Sequence, residues 1–252
     1  MKKLYWLSDT EWARIEPLLP RGRRGAHRVD DRRVISGIMH MLHSGARWRD
    51  CPAAYGPYTT IYNRFNRWSR QGLWTGIFYA LTGSTGTVGT VAVDSTHIKV
   101  HRSAAGAKGG PFRHAIGRSR GGRTTKIHAL TDDRGRPLAF QLTPGNTHDL
   151  DGARALLAIV PCPSRLLADR AYDARSLRDW LAQRGTEAVI PPNPTRKHPH
   201  AYDATAYKRR NLIERMFCRL KDFRRIATRY DKLARNFLAG VLIAAAVTWW
   251  LN

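Results

Sequence analysis

Apolar residues in the first eighty positions recur three and four apart, which is the spacing of one face of a helix. Ser8 and Asp9 can cap a first helix carrying Trp12, Ile15 and Leu18, and Pro20 stops it. A basic loop, Arg21 to Arg28, follows. A second helix places Val34, Ile35, Ile38, Met39 and Leu42 on one side. A third, opened by Thr59 or Thr60, lines up Ile61, Phe65 and Trp68 and shows Asn63, Arg64, Arg67 and Arg70 on its other face. Three short helices ending in a polar one describe either a helix-turn-helix-like unit or an ordinary bundle with a solvated face.

The pattern changes after a Gly-, Ser- and Thr-rich stretch read as a linker over 83–90. Val91, Ala92 and Val93 open a strand that runs through Ile98 and Val100. Lys126 to Leu130 and Leu138 to Leu142 continue a three-strand meander around the turn Asp132 to Gly135. Helix Leu150 to Ile159, strand Leu166 to Ala168, helix Arg175 to Gln183 and strand Ala188 to Ile190 then alternate, as in an α/β layer fold. A long helix is expected from about Tyr207 to Arg229. Phe237 to Leu251 is apolar but shorter than the roughly 20 residues a membrane-spanning helix needs, so it reads as a buried terminal helix and no membrane partner is expected. The chain thus divides into a helical domain over 1–82 and an α/β domain over 91–252.

Charge changes the picture. The 252 residues contain 43 Lys and Arg against 19 Asp and Glu, a formal net charge of +24, and 34 of the cations are Arg. Arg pairs bidentately with phosphate, so the excess points to nucleic acid as partner and favours the helix-turn-helix reading, with Asn63, Arg64 and Arg67 as DNA contacts. Residues 102 to 123 hold six Gly and five Arg with no acid, a loop able to track a phosphate backbone through Arg118, Arg120 and Arg123. Three separated cysteines support neither a disulfide framework nor a zinc site and fit a reducing cytosol. The N-terminus is charged again too early for a signal peptide.

Acids are scarce enough to be informative. Between Asp50 and Asp132 there is only Asp94, directly after Val91, Ala92 and Val93; Asp169 repeats the arrangement after Leu166, Leu167 and Ala168. A carboxylate at the end of a buried strand is costly unless an Arg or a metal pairs it, although strand-ending Asp also serves as a turn residue. On the long helix, Tyr207, Arg210, Glu214 and Lys221 fall on one face at 100° per residue, opposite Leu212, Met216, Leu220 and Phe223. Three carboxylates of this kind suit a hard cation such as Mg²⁺, and two such ions can assist in-line displacement at phosphorus. His148–Asp149 carries no evident chemistry and reads as a cap for the helix that follows.

These residues resemble a known family. The run Tyr207, Arg210, Glu214, Lys221 is similar to the spaced Tyr-Arg-Glu-Lys signature of the DDE transposases of bacterial insertion sequences, and Asp94, Asp169 and Glu214, separated by 75 and 45 residues, resemble their acidic triad. Val93–Thr96, Ile116–Gly122, Thr124–His128 and Ala168–Asp173 are similar to phrases of the branch named after insertion sequence five, and the helical N-terminal region resembles that branch as well. The resemblance implies a ribonuclease H-like mixed sheet flanked by helices, with the first and fourth strands adjacent. It also implies catalysis by Asp94, Asp169 and Glu214 through Mg²⁺ or Mn²⁺, as two ions. The DNA ends of the element and target DNA would be the substrates, Tyr207, Arg210 and Lys221 would contact terminal nucleotides, and a homodimer on DNA in the bacterial cytoplasm, at the nucleoid, is expected. Two other readings stand beside it: a non-catalytic DNA-binding protein derived from a transposase, and another ribonuclease H-like nuclease.

Overall fold

A computed structural model describes residues 4–20, 30–83 and 89–251. The basic loop at 21–28 and most of the linker lie outside the described residues. The chain forms two compact units, one of Met1–Ser84, His101–Lys108 and Leu220–Asn252, the other of Thr85–Val100 and Gly109–Arg219.

The first unit begins with α1 (Asp9–Ile15), where Ser8 and Glu11 form a reciprocal capping box. In α2 (Asp31–Ser44), Asp30 accepts the N–H groups of Arg32 and Arg33, and Gly45 ends the helix at φ +71°. α3 (Tyr58–Arg70) is the third expected helix; α4 (Leu73–Thr82) is a fourth, not singled out in the sequence although Trp74, Ile77, Phe78 and Leu81 recur on one buried face. Ile35, Ile38, Phe65 and Phe78 are fully buried between them.

The second unit carries β1 (Thr90–Val100), α5 (Gly110–Arg113), β2 (Gly117–Ser119), β3 (Gly122–Thr131), β4 (Pro137–Pro144), α6 (Asp149–Ala158), β5 (Arg165–Leu167), α7 (Arg175–Gln183), β6 (Glu187–Val189), α8 (Ala204–Tyr207) and α9 (Asn211–Lys221) up to Arg219. Its sheet runs β6-β5-β1-β3, and both β2 and β4 lie along the far edge of β3. β1, β3 and β4 are antiparallel, whereas β5 and β6 run parallel to β1. This is the mixed sheet of the ribonuclease H-like expectation, and β1 and β5, the strands that lead into Asp94 and Asp169, are neighbours, although Asp94 does not end its strand as expected, because pairing with β3 carries β1 on to Val100. The 102–123 segment is more ordered than a loop: β2 and β3 close a hairpin across it.

The helix expected from about Tyr207 to Arg229 is broken at both ends: Tyr207 ends α8, a 3₁₀ turn covers Lys208–Arg210, α9 stops at Lys221, and the chain re-enters the first unit with α10 (Arg224–Ala227) and α11 (Ala234–Ala245), followed by a π-helical turn over Ala246–Trp250. Helix propensity alone would carry α9 further, but tertiary burial of Phe223, Arg225 and Ile226 overrides it. α11 packs on α2, α3 and α4, so the C-terminal segment, together with His101–Lys108, belongs to the helical unit rather than to the α/β unit to which its position in the chain assigned it. No helix among the described residues is long and apolar enough to cross a membrane.

Candidate active site

The parallel register of β1 and β5 pairs Ala92 with Leu167. Asp94 and Asp169 each stand two residues further on, so the alternation of strand side chains sends both carboxylates to the same face of the sheet. Their backbones hold them differently. Asp94 Oδ1 accepts the Ser95 N–H at 2.7 Å, and Asp169 Oδ1 accepts the Ala171 N–H at 2.9 Å as the cap of a short 3₁₀ turn.

Glu214 reaches this point through Arg210. The Arg210 guanidinium donates from Nη1 to Asp94 Oδ2 at 2.9 Å and from Nη2 to Glu214 Oε1. One cation therefore grips two of the three expected acids, and Tyr207, whose ring centroid lies 5.7 Å from the guanidinium carbon, completes the group. Burial, helped by the nearby charge of Asp169, pushes the Asp94 carboxyl above the usual carboxylate range against the pull of the Ser95 N–H and Arg210. Burial works against the charge on Arg210, but Asp94, Tyr207 and Glu214 outweigh it and hold the guanidinium more firmly protonated. Among the described residues no three His, Cys, Asp or Glu side chains are gathered closely enough to hold a metal as they stand. The donor set nevertheless fits one: the oxygens of Asp94 and Glu214 already converge on a single cationic group, and hard carboxylate oxygens are what Mg²⁺ and Mn²⁺ prefer.

Other expected residues are placed as follows. Arg118 and Arg123 face each other directly across the β2–β3 hairpin, with Arg120 at its turn, and all three are exposed. Like charges directly opposite on a sheet are destabilising, so folding alone does not account for the pair, whereas a polyanion would. Lys221, half-buried at the end of α9, falls in the first unit. On α3, Asn63 and Arg67 are exposed, but Arg64 turns inward: it is paired with Asp31 of α2, both side chains about nine-tenths buried, and lies over the Trp68 ring. Arg64 thus serves the helical core rather than the open face on which the helical wheel put it.

Sequence reasoning missed the opposite face of β1. There Ser95 Oγ donates to Asp149 Oδ1 at 2.6 Å, and Lys126 Nζ donates to the same oxygen at 3.0 Å. His128 Nε2 sits 2.7 Å from Thr143 Oγ1. The fully buried Tyr172 interacts with Ser95 and lies near Asp149, Asp94 and Asp169; burial and these carboxylates hold its hydroxyl protonated. The signal available was the strand alternation Ser95, His97 against Lys126, His128, four polar side chains on one face of two paired strands.

His128 supplies a measurable consequence. Burial lowers its pKa from 6.5 to about 4, so the folded protein keeps the ring neutral while the unfolded chain takes up a proton. Its stabilising effect is complete above pH 6.5 and is lost as pH falls towards 4. Urea unfolding at pH 5 is expected to give about 2 kcal/mol less stability from this group than at pH 7, and His128→Gln should remove that part of the slope.

Comparison with known proteins identifies the family. A family model described as the transposase DDE domain matches residues 89–249, and one for transposases of the IS4/5 family (DUF4096) matches residues 7–78. The transposase assigned to insertion sequence element IS6501 of Brucella ovis is 40% identical over 127 residues, 50% of this chain and 98% of that protein. The transposase assigned to element IS402 of Burkholderia cepacia is 30% identical over 137 residues, 50% of this chain and 63% of that protein. Among solved structures, a piggyBac transposase synaptic complex with hairpin DNA is similar in fold, with a TM-score of 0.51 and 11% identity over 99% of this chain and 73% of that one. With the acids that follow the apolar runs of β1 and β5 brought to one face and Glu214 joined to them through Arg210, the chain belongs to the DDE transposases of insertion sequences.

Proposed function

We propose that this transposase cuts DNA at the ends of its insertion sequence and joins the freed ends to target DNA, with Asp94, Asp169 and Glu214 as the catalytic acids. The observation that carries the reading is the double grip of Arg210 on Asp94 and Glu214 beside Asp169, which leaves three carboxylates and one guanidinium where a phosphodiester and its counter-ions would meet. The carboxylates would hold Mg²⁺ or Mn²⁺, as two ions, which when bound activate the attacking oxygen and stabilise the departing one. Water adds to phosphorus as the P–O3′ bond breaks, giving a 3′-hydroxyl and a 5′-phosphate. That hydroxyl then attacks a target phosphodiester and releases a target 3′-hydroxyl. Arg210 and Tyr207 are placed to receive the phosphate and terminal nucleotide, and Lys221 is assigned the same strand by its place in the signature. Asn63 and Arg67 on α3 and the hairpin arginines supply further DNA contacts, and a homodimer would bring two ends together.

The test is cleavage of a duplex carrying the element's ends, with Mg²⁺ or Mn²⁺ and with chelator. Asp169→Ala and Glu214→Ala should each be inactive under conditions where the parent cuts; cutting at the parental rate by either would end the assignment. A separate expectation concerns the hairpin. Replacing Arg118, Arg120 and Arg123 together with Ala should flatten the slope of log affinity against log salt by about 2 to 3 and weaken binding to all duplexes alike, measured by fluorescence anisotropy.

A further inference from the structure

Asp149 opens α6, yet the cap is supplied by its neighbour: His148 Nδ1 accepts the Leu150 N–H. That leaves the Asp149 carboxylate free to turn to the sheet. The helix lies close enough for it to reach because position 152 is glycine; a Cβ there would come within 2.3 Å of His128 Nδ1. Register pairs Ser95 with His128 and His97 with Lys126, so these side chains share the face under α6, while Asp94 points to the other. Asp149 Oδ1 takes both the Ser95 hydroxyl and the Lys126 ammonium, and Lys126 Nζ also donates to Thr147 O at 2.7 Å. The chain of contacts continues through the strand, since the Ser95 N–H is the donor that fixes Asp94 Oδ1. A mostly buried Lys–Asp pair contributes little net stability, so stability alone gives no reason for it to be there.

We propose that Asp149 is a positioning residue for the divalent-cation site: it anchors Ser95, and through the Ser95 N–H it sets the orientation of the Asp94 carboxylate. The inference rests on the reading of Asp94 as a cation ligand. Outer partners of this kind commonly change metal affinity by about 10- to 100-fold when removed.

The experiment is Mn²⁺ binding to the full chain without DNA, followed by electron paramagnetic resonance, with thermal unfolding measured alongside. Asp149→Asn and Ser95→Ala are each expected to weaken Mn²⁺ by about tenfold, and the double variant by no more than either alone, because both break one chain of contacts. Leu156→Val, which loosens α6 without touching Asp149, should leave the affinity unchanged. Parental affinity in Asp149→Asn, full additivity in the double variant, or an equal loss in Leu156→Val would overturn the proposal. Asp94→Asn separates this from the underlying reading: if it too binds Mn²⁺ as the parent does, Asp94 is not a ligand and the reading on which the proposal rests falls first.

Discussion

Asp94→Asn is expected to reduce DNA end cleavage by at least about 10³-fold, some 4 kcal/mol of transition-state stabilisation, while changing the stability of the fold by less than about 1 kcal/mol. The two halves of this expectation have different causes. The amide keeps the shape of the carboxyl and its oxygen can still accept the Ser95 N–H, but it has no charge to offer a cation. The fold bears the loss because burial already works against the charge on this carboxyl, and Arg210 retains Glu214 as a partner. Single-turnover cleavage and urea unfolding of the same preparation check both halves. A variant that unfolds in step with its loss of activity would make Asp94 a structural residue.

Arg64→Ala should cost about 3 kcal/mol of stability, because it leaves Asp31 buried without its cation. Arg67→Ala, three residues along the same helix and exposed, should stay within about 0.5 kcal/mol of the parent and act on DNA affinity instead. The helical wheel treats these two arginines alike, since it knows which face they share but not that Asp31 of α2 comes up against one edge of it. Urea unfolding of the two variants, with anisotropy on the same duplex, separates a residue that holds helices together from one available to DNA.

The difference between those arginines shows where sequence stops being sufficient. The places of Asp94 and Asp169 were legible because two apolar triplets each run into an acid, although β1 continues past Asp94 to Val100, and the shared side of Arg210 and Glu214 because residues four apart in helical backbone lie one above the other. Contacts between distant elements were not. Asp149 looked like a capping residue because only the packing of α6 on β3, permitted by Gly152, reveals what its carboxylate meets. That the C-terminal segment packs with the helical unit was not legible, because its apolar residues say that it is buried without saying against what. α4 was different: its stripe of Trp74, Ile77, Phe78 and Leu81 was local and legible, and went unread because the small residues Thr75, Gly76 and Ala80 on its exposed side mark the polar face only weakly.

The bridge from Arg210 to Asp94 joins positions 116 residues apart. On a ribosome adding about 5 to 20 residues per second, roughly ten seconds separate the emergence of the first acid from that of its guanidinium and of Glu214. A nascent or truncated polypeptide can therefore own β1 and the basic hairpin for several seconds before the side chains that complete the cluster around Asp94 exist.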